Sequence, residues 1–113
     1  MESDRCLGKA RRRRAILHAG VLTFRGAPGE TEEAVLIYLG SAVPMMREQC
    51  GFRGGLVLSN PEVDEGYTIT PWETEEDAEA YESSDAYREQ VAKLGDTLAE
   101  PPTRKAYEVS LQM

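Results

Sequence analysis

Ala15-Ile16-Leu17-His18-Ala19-Gly20-Val21-Leu22-Thr23-Phe24-Arg25 is the stretch on which the fold turns. Read with the two-residue period of a strand, Leu17, Ala19 and Val21 fall on one face and Ile16, His18, Leu22 and Phe24 on the other. Both faces are largely apolar. Such a strand needs cover on two sides, helices on one face of its sheet and another body on the second.

The residues that follow supply the helices and the other strands. Pro28-Gly29 breaks the chain, and Glu30, Glu32 and Glu33 put negative charge on the first turn of a helix, where the macrodipole favours it. Val35, Leu39, Val43 and Met46 recur at steps of three and four, with Leu36 beside them, and predict the buried stripe of that helix; Met45 and Met46 read as packing. Pro44 has no donor for the carbonyl of Gly40 and crowds it, which predicts a bend. Phe52 to Ser59 alternates Phe52, Gly54, Leu56 and Leu58 against Arg53, Gly55, Val57 and Ser59 and reads as a strand. Asn60-Pro61 through Glu65-Gly66 is turn chemistry, and Tyr67 to Glu73 is the hairpin partner, with Thr68, Thr70 and Trp72 on one face. Pro71 removes a ladder donor from an interior strand, so a bulge or break is expected beside Trp72. Thr74 with Asp77 three residues on is a variant of the capping box, with Ala78 and Tyr81 on a short apolar side, and Ser83-Ser84 interrupts and recaps. Tyr87, Val91, Leu94 and Leu98 carry the strongest helical period in the chain. Pro101-Pro102 ends it, and Ala106 to Leu111 closes as a strand with Tyr107, Val109 and Leu111 on one face.

The order strand, helix, strand, strand, helix, strand defines an α+β chain of the ferredoxin-like βαββαβ type, with a four-stranded antiparallel sheet. Helices cover one face of such a sheet. A second copy of the chain is the simplest cover for the other, giving a homodimer joined through its sheet faces as a two-sheet barrel.

A chain of 113 residues accommodates one hydrophobic core, assigned to residues 15–113. Residues 1–14 carry six Lys/Arg against two acids, whereas residues 15–113 carry seven against eighteen, so a +4 segment precedes a −11 body. An acidic body repels phosphate backbones, which excludes nucleic acid as its partner. Met1 to Arg14 has almost no apolar content and is expected to be a flexible basic tail; the residues after it lack the apolar region and cleavage site of an export signal. No apolar run approaches the roughly 20 residues of a membrane span. Cys6 and Cys50 show no zinc-site spacing; sparse cysteine suits a reducing cytoplasm, although two cysteines suffice for one bridge.

Several segments resemble a known family. Gly51-Phe52-Arg53-Gly54-Gly55-Leu56, then Thr70-Pro71-Trp72-Glu73-Thr74-Glu75-Glu76-Asp77-Ala78, then Ser84-Asp85-Ala86-Tyr87-Arg88 and Tyr107-Glu108-Val109, are similar to the antibiotic biosynthesis monooxygenase family of dimeric α/β barrels. The resemblance implies the ferredoxin-like fold and the homodimer. It spans several activities: cofactor-independent oxygenases of aromatic polyketides, quinol oxygenases, haem-degrading enzymes and barrels without established activity. Trp72 matches a tryptophan that lines the cavity between helices and sheet in family members. The haem-degrading branch adds an asparagine on the first strand and a histidine on the last helix. Ala19 and Gly20, and Val91, stand at those places here, which argues against haem degradation.

The resemblance and the residue chemistry together give a candidate site. His18 is the only histidine, and its near-neutral pKa suits a general base for a phenolic or enolic proton, although a strand histidine with a purely structural role is commoner. Trp72, Thr70 and Tyr87 are the expected walls of an apolar pocket for a small hydrophobic aromatic ligand, Trp72 having core packing as its other reading. Tyr67 and Arg53 are further polar candidates. No metal-ligand cluster, phosphate loop or nucleophile motif is present in the sequence, and no cofactor is expected; the acidic run Glu73 to Glu79 reads as a helix N-terminus and its charged face. The expectation is a cofactor-independent monooxygenase acting on an aromatic or quinol-like compound. The alternative is a non-catalytic ligand-binding or stress-related barrel.

Overall fold

Strand β1 (His18–Arg25) lies at the centre of the sheet, hydrogen-bonded along its length to β3 (Glu65–Trp72) on one side and to β4 (Thr103–Glu108) on the other. The computed structural model describes residues 16–113, so the expected basic tail Met1–Arg14 lies outside the described residues. With β2 (Leu56–Asn60) paired to β3, the strand order is β2-β3-β1-β4, and every pairing is antiparallel. This is the expected α+β, ferredoxin-like sheet. Among the described residues no helix is long and apolar enough to cross a membrane. Cys50 is not a free thiol, so sparse cysteine gives no ground of its own for a reducing compartment.

The register sorts the strand residues into two sets. Gly20, Leu22 and Phe24 face the helices together with Val57, Thr68, Thr70, Trp72 and Arg104, because directly opposed residues share a face. Ala19, Val21, Leu56, Leu58, Tyr67, Ile69 and Tyr107 point to the opposite side. That outer side carries Leu56 at 60% and Tyr107 at 52% exposure, with Leu58 and Tyr67 also exposed, so its apolar surface is uncovered in the protomer.

The first helical segment runs as α1 (Thr31–Ile37), a π-helical turn (Tyr38–Ala42) and α2 (Val43–Met46). The bend expected at Pro44 takes the form of this wide turn, in which the Val43 N–H reaches back to the carbonyl of Tyr38. Pro44 has no N–H for Gly40, and widening the turn removes the need for that bond. The extra residue also rotates the buried stripe. Leu36 and Leu39, expected inside, are exposed, while Thr31, Ala34, Ala42 and Met46 are buried. A repeat of three and four holds only while each turn has 3.6 residues.

The irregularity expected beside Trp72 lies on the neighbouring strand. Leu56 pairs with Ile69 and Phe52 with Trp72, four residues along one chain against three along the other, so Arg53–Gly55 contain one extra residue. Pro71 accepts from the Arg53 N–H at 3.0 Å but has no N–H to return, and the ladder breaks on that side. Gly54 absorbs the distortion with φ near +100°. The extra residue moves Phe52 from the outer face, where simple alternation puts it with Leu56, onto the helix side against Trp72.

The second helical segment follows its capping signals. Thr74 accepts from the Asp77 N–H at 3.0 Å and starts α3 (Glu75–Glu82), and Ser84 accepts from the Tyr87 N–H at 3.1 Å and starts α4 (Asp85–Leu94). Helix α4 ends at Leu94, short of the expected stop at Pro101, because a 3₁₀ turn (Gly95–Thr97) carries Leu98 into a bridge with Gly26. Strand β4 begins and ends three residues earlier than the expected Ala106–Leu111.

Gly40 and Gly54 both have open space where a Cβ would stand, but only Gly54 has positive φ. Gly54→Ala should lower stability by about 1–2 kcal/mol through backbone strain alone. Gly40→Ala should leave stability unchanged or raise it by up to about 1 kcal/mol. Urea titration of the two variants reads the opposite signs.

Candidate functional site

The helix side of the sheet is held by a chain of aromatic rings. Trp72, 1% exposed, stacks on Tyr81 of α3 with centroids 5.5 Å apart, and Phe52 meets its edge at 5.9 Å. Tyr81 in turn makes an edge contact with Tyr87 of α4 at 5.6 Å. Met46 and Ala78 complete this cluster. Truncating such a ring typically costs about 3–5 kcal/mol, so Trp72 is a core residue whatever else it does.

Beside the rings lies a mainly apolar cavity of about 40 Å³. Its floor is Gly20 and Leu22 of β1 with Thr68, Thr70 and Trp72 of β3; its roof comes from Tyr38, Met46, Tyr81, Tyr87 and Gln90. Three of the four expected site residues, Trp72, Thr70 and Tyr87, therefore converge. His18, half-buried and opposite both Trp72 and Glu108 in the ladders, is not one of the cavity's walls. Tyr67 is exposed on the outer face, and Arg53 is an exposed partner of Glu73. Val91 and Gly20, at the places where haem-degrading relatives are expected to carry histidine and asparagine, both line the cavity. Among the described residues no three of His, Cys, Asp and Glu gather where they would hold a metal ion.

Two polar groups at the cavity were not singled out from the sequence. Glu82, the last residue of α3, has a side chain only 9% exposed, and its Oε1 lies 2.8 Å from Nη1 of Arg104 on β4. Its Oε2 reaches the sheet where Gly20 has no side chain; a Cβ there would stand 2.6 Å from that oxygen. Gln90 is buried and its Oε1 has no hydrogen-bond partner among the described residues. The signal was available: Ala78, Tyr81 and Glu82 are spaced i, i+3, i+4, and Gln90 lies between Tyr87 and Leu94 on the apolar stripe of α4. Polar residues on an inward stripe are the informative exceptions to the pattern.

Burial sets the protonation of these groups. Desolvation raises the pKa of Tyr38, with hydrogen bonds to Thr68 and Thr70 opposing it. Tyr81 is raised strongly by burial, and Tyr87 by burial partly offset by Arg104. All three phenols are therefore neutral near pH 7 and can donate. Glu82 is raised above the ordinary carboxylate value by burial, against the pull of Arg104 and with a further push from Glu79. The site can donate hydrogen bonds to a small polar group and accept hydrogen bonds from it.

Residues 19–93 match the model of the antibiotic biosynthesis monooxygenase family, and the chain belongs to that family. Among curated proteins nothing matches it. Solved structures resemble it closely in fold. A monooxygenase from the gene ActVA-Orf6 of Streptomyces coelicolor, in complex with the ligand nanaomycin D, aligns with a TM-score of 0.74 and 18% identity over 87% of this chain and 91% of its own. A protein from Bordetella bronchiseptica aligns at 0.73 and 18% over 85% and 99%. The NE2512 protein of unknown function from Nitrosomonas europaea aligns at 0.71 and 19% over 87% and 93%. At these identities the likeness shows the shared fold.

Because the Glu82 carboxyl titrates higher in the folded chain than in the unfolded one, the folded state holds the proton longer. Stability from this group is full below about pH 4.3, the unfolded value, and is lost as pH rises through the folded pKa. Glu82→Gln removes that loss. Urea titrations between pH 4 and pH 7.5 should show the stability difference moving in the variant's favour as pH rises, whereas a pH-independent difference would contradict the shift.

Proposed function

We propose that this protein is a cofactor-independent monooxygenase acting on a small aromatic or quinol-like compound, working as a homodimer joined through its sheet faces. The observation that carries this reading is the convergence of Trp72, Thr70 and Tyr87 on one apolar cavity in a chain of this family. The nanaomycin D complex of the Streptomyces coelicolor monooxygenase supports a small-molecule ligand for the fold.

The chemistry follows from what such a pocket offers. An anthrone-type methylene flanked by aryl rings loses a proton to a base, leaving a delocalised carbanion. His18, opposite Trp72 in the ladder, is the proposed acceptor. The carbanion supplies electrons to O₂ and a C–O bond forms. The O–O bond then breaks as the second C–H proton leaves. One oxygen atom ends in the new carbonyl and the other in water, with the substrate as the reductant. Trp72 and Tyr87 exclude water and orient the ring, and Thr70 lies beside them on the cavity floor.

Oxygen uptake with anthrone and with hydroquinone tests this reading. Uptake should fall about 10²–10⁴-fold in His18→Ala, the usual contribution of a general base, and should fall also in Trp72→Phe. The small cavity volume and the place of His18 outside its walls favour the second reading, a non-catalytic ligand-binding barrel. Ligand binding without oxygen uptake from any substrate in the panel selects that one.

The exposed outer face supports the dimer. Its Leu56, Leu58, Tyr67, Ile69, Val21 and Tyr107 make an apolar surface continuous across four strands, suited to an isologous contact. Light scattering at micromolar concentration should give twice the protomer mass, and Leu58→Glu should halve it. A monomeric wild-type protein overturns the assembly.

A further inference from the structure

The cavity contains two acceptors that the proposed reaction leaves unused. Glu82 carries its carboxylate from the end of α3 onto the sheet, where Gly20 alone of the twenty residue types leaves it room without displacement. Arg104 holds Oε1 from β4. Gln90 approaches from α4, with a buried amide oxygen that no group among the described residues satisfies. An unmet acceptor in an apolar surround is destabilising, because its lost hydration is not replaced. A chain that keeps one at a cavity wall, beside a buried carboxylate, has a site built for a donor that the protein itself does not supply.

The donor's size and chemistry can be narrowed. The other polar groups at the cavity are the hydroxyls of Tyr38, Tyr81, Tyr87, Thr68 and Thr70 and the Arg104 guanidinium, which already faces Glu82, whereas the Glu82 and Gln90 oxygens accept. A ligand that satisfies them brings a hydroxyl hydrogen. An ammonium is disfavoured because Arg104 already faces the carboxylate, and an anion would meet Glu82 itself. About 40 Å³ takes only the polar end of an aromatic molecule. Tyr38, Met46 and Thr70 also border a groove of about 530 Å³ between the first helical segment and β2, which has room for a ring system.

We propose that Glu82 and Gln90 form the hydroxyl-recognising end of the ligand site, accepting hydrogen bonds from a phenolic or enolic hydroxyl of a neutral, flat aromatic compound whose ring lies along Trp72 and Tyr38. This rests on reading the cavity as the ligand site, and it names what the ligand must carry. Gly20 and Arg104 are positioning residues: one makes space for the carboxylate and the other orients it. The raised pKa of Glu82 agrees with this role, since a more basic carboxylate is the stronger hydrogen-bond acceptor.

Trp72 is the only tryptophan of the chain and reports on the cavity through its fluorescence. The experiment titrates 1-naphthol and 1-methoxynaphthalene, which differ in the hydroxyl hydrogen, into the full-length protein. 1-Naphthol should quench with an affinity about tenfold or more above that of the methyl ether, as expected for a hydrogen bond to a charged acceptor. Glu82→Gln and Gln90→Met should each weaken 1-naphthol by about the same factor and leave 1-methoxynaphthalene unchanged. Gly20→Ala, which displaces the carboxylate without removing it, should behave like Glu82→Gln. Equal affinity of the two probes for the wild-type protein, or no quenching by 1-naphthol, overturns the assignment without reference to any variant. Hydroxyl-dependent binding without oxygen uptake sinks only the monooxygenase reading; oxygen uptake without hydroxyl dependence sinks only this one.

Discussion

Trp72 has to be enclosed, and most of the architecture is the means of enclosing it. A tryptophan buries roughly 200 Å² or more of surface, and no single element of this chain covers that much. Strand β3 presents the ring, Tyr81 stacks on it from α3, and Phe52 reaches its edge from the segment before β2. Phe52 gets there only because of the extra residue at Arg53–Gly55, and that residue is tolerated only because Pro71 leaves the ladder open on the same side. Pro71 and Trp72 are neighbours in sequence, so the break and the ring it serves cannot drift apart.

The order of elements was legible because it rests on local chemistry. Caps at Thr74 and Ser84, the turn at Asn60–Gly66 and the two-faced strand Leu17–Phe24 each act within a few residues, and each is where it was expected. Two readings failed where a phase was extended across an irregularity. Leu39 fell outside the core because the turn at Tyr38–Ala42 holds an extra residue, and Phe52 changed face because Arg53–Gly55 does. Proline announces that a ladder will be disturbed. Whether the chain bends, widens or adds a residue depends on what lies opposite, and that is not written in the segment itself.

The candidate site was legible on its apolar side and missed on its polar side. Trp72, Thr70 and Tyr87 converge because strand alternation and helix period both place them inward. Glu82 and Gln90 obey the same periods, but a polar side chain adds nothing to an apolar stripe and neither was singled out. A carboxylate in an apolar surround loses several kcal/mol of hydration, and Arg104 offsets only part of it. Replacing such a pair by well-packed apolar residues is often neutral or stabilising. Stability alone therefore gives little reason for Glu82 to be there. The geometry at Gly20 sharpens the point, because a strand interior pays for glycine in entropy and here gains a place for a carboxylate.

The two faces of the sheet face opposite requirements. The outer face is exposed and apolar across the strands, so covering it completely removes apolar surface from water. The helix face, if it is the ligand site proposed, has to exclude water and still admit a molecule larger than its cavity. Tyr38 stands where this conflict is resolved. It borders the cavity, a small apolar pocket next to it and the large groove. It is also the first residue of the π-helical turn, where the hydrogen-bond ladder departs from its regular spacing. Its hydroxyl is held by Thr68 and Thr70 and by a long contact of 3.9 Å to the Met46 sulfur. These are exchangeable partners, weak enough for an entering hydroxyl or ring to replace. Pro44, which has no N–H for the carbonyl of Gly40, is the residue that favours the wide turn at this place.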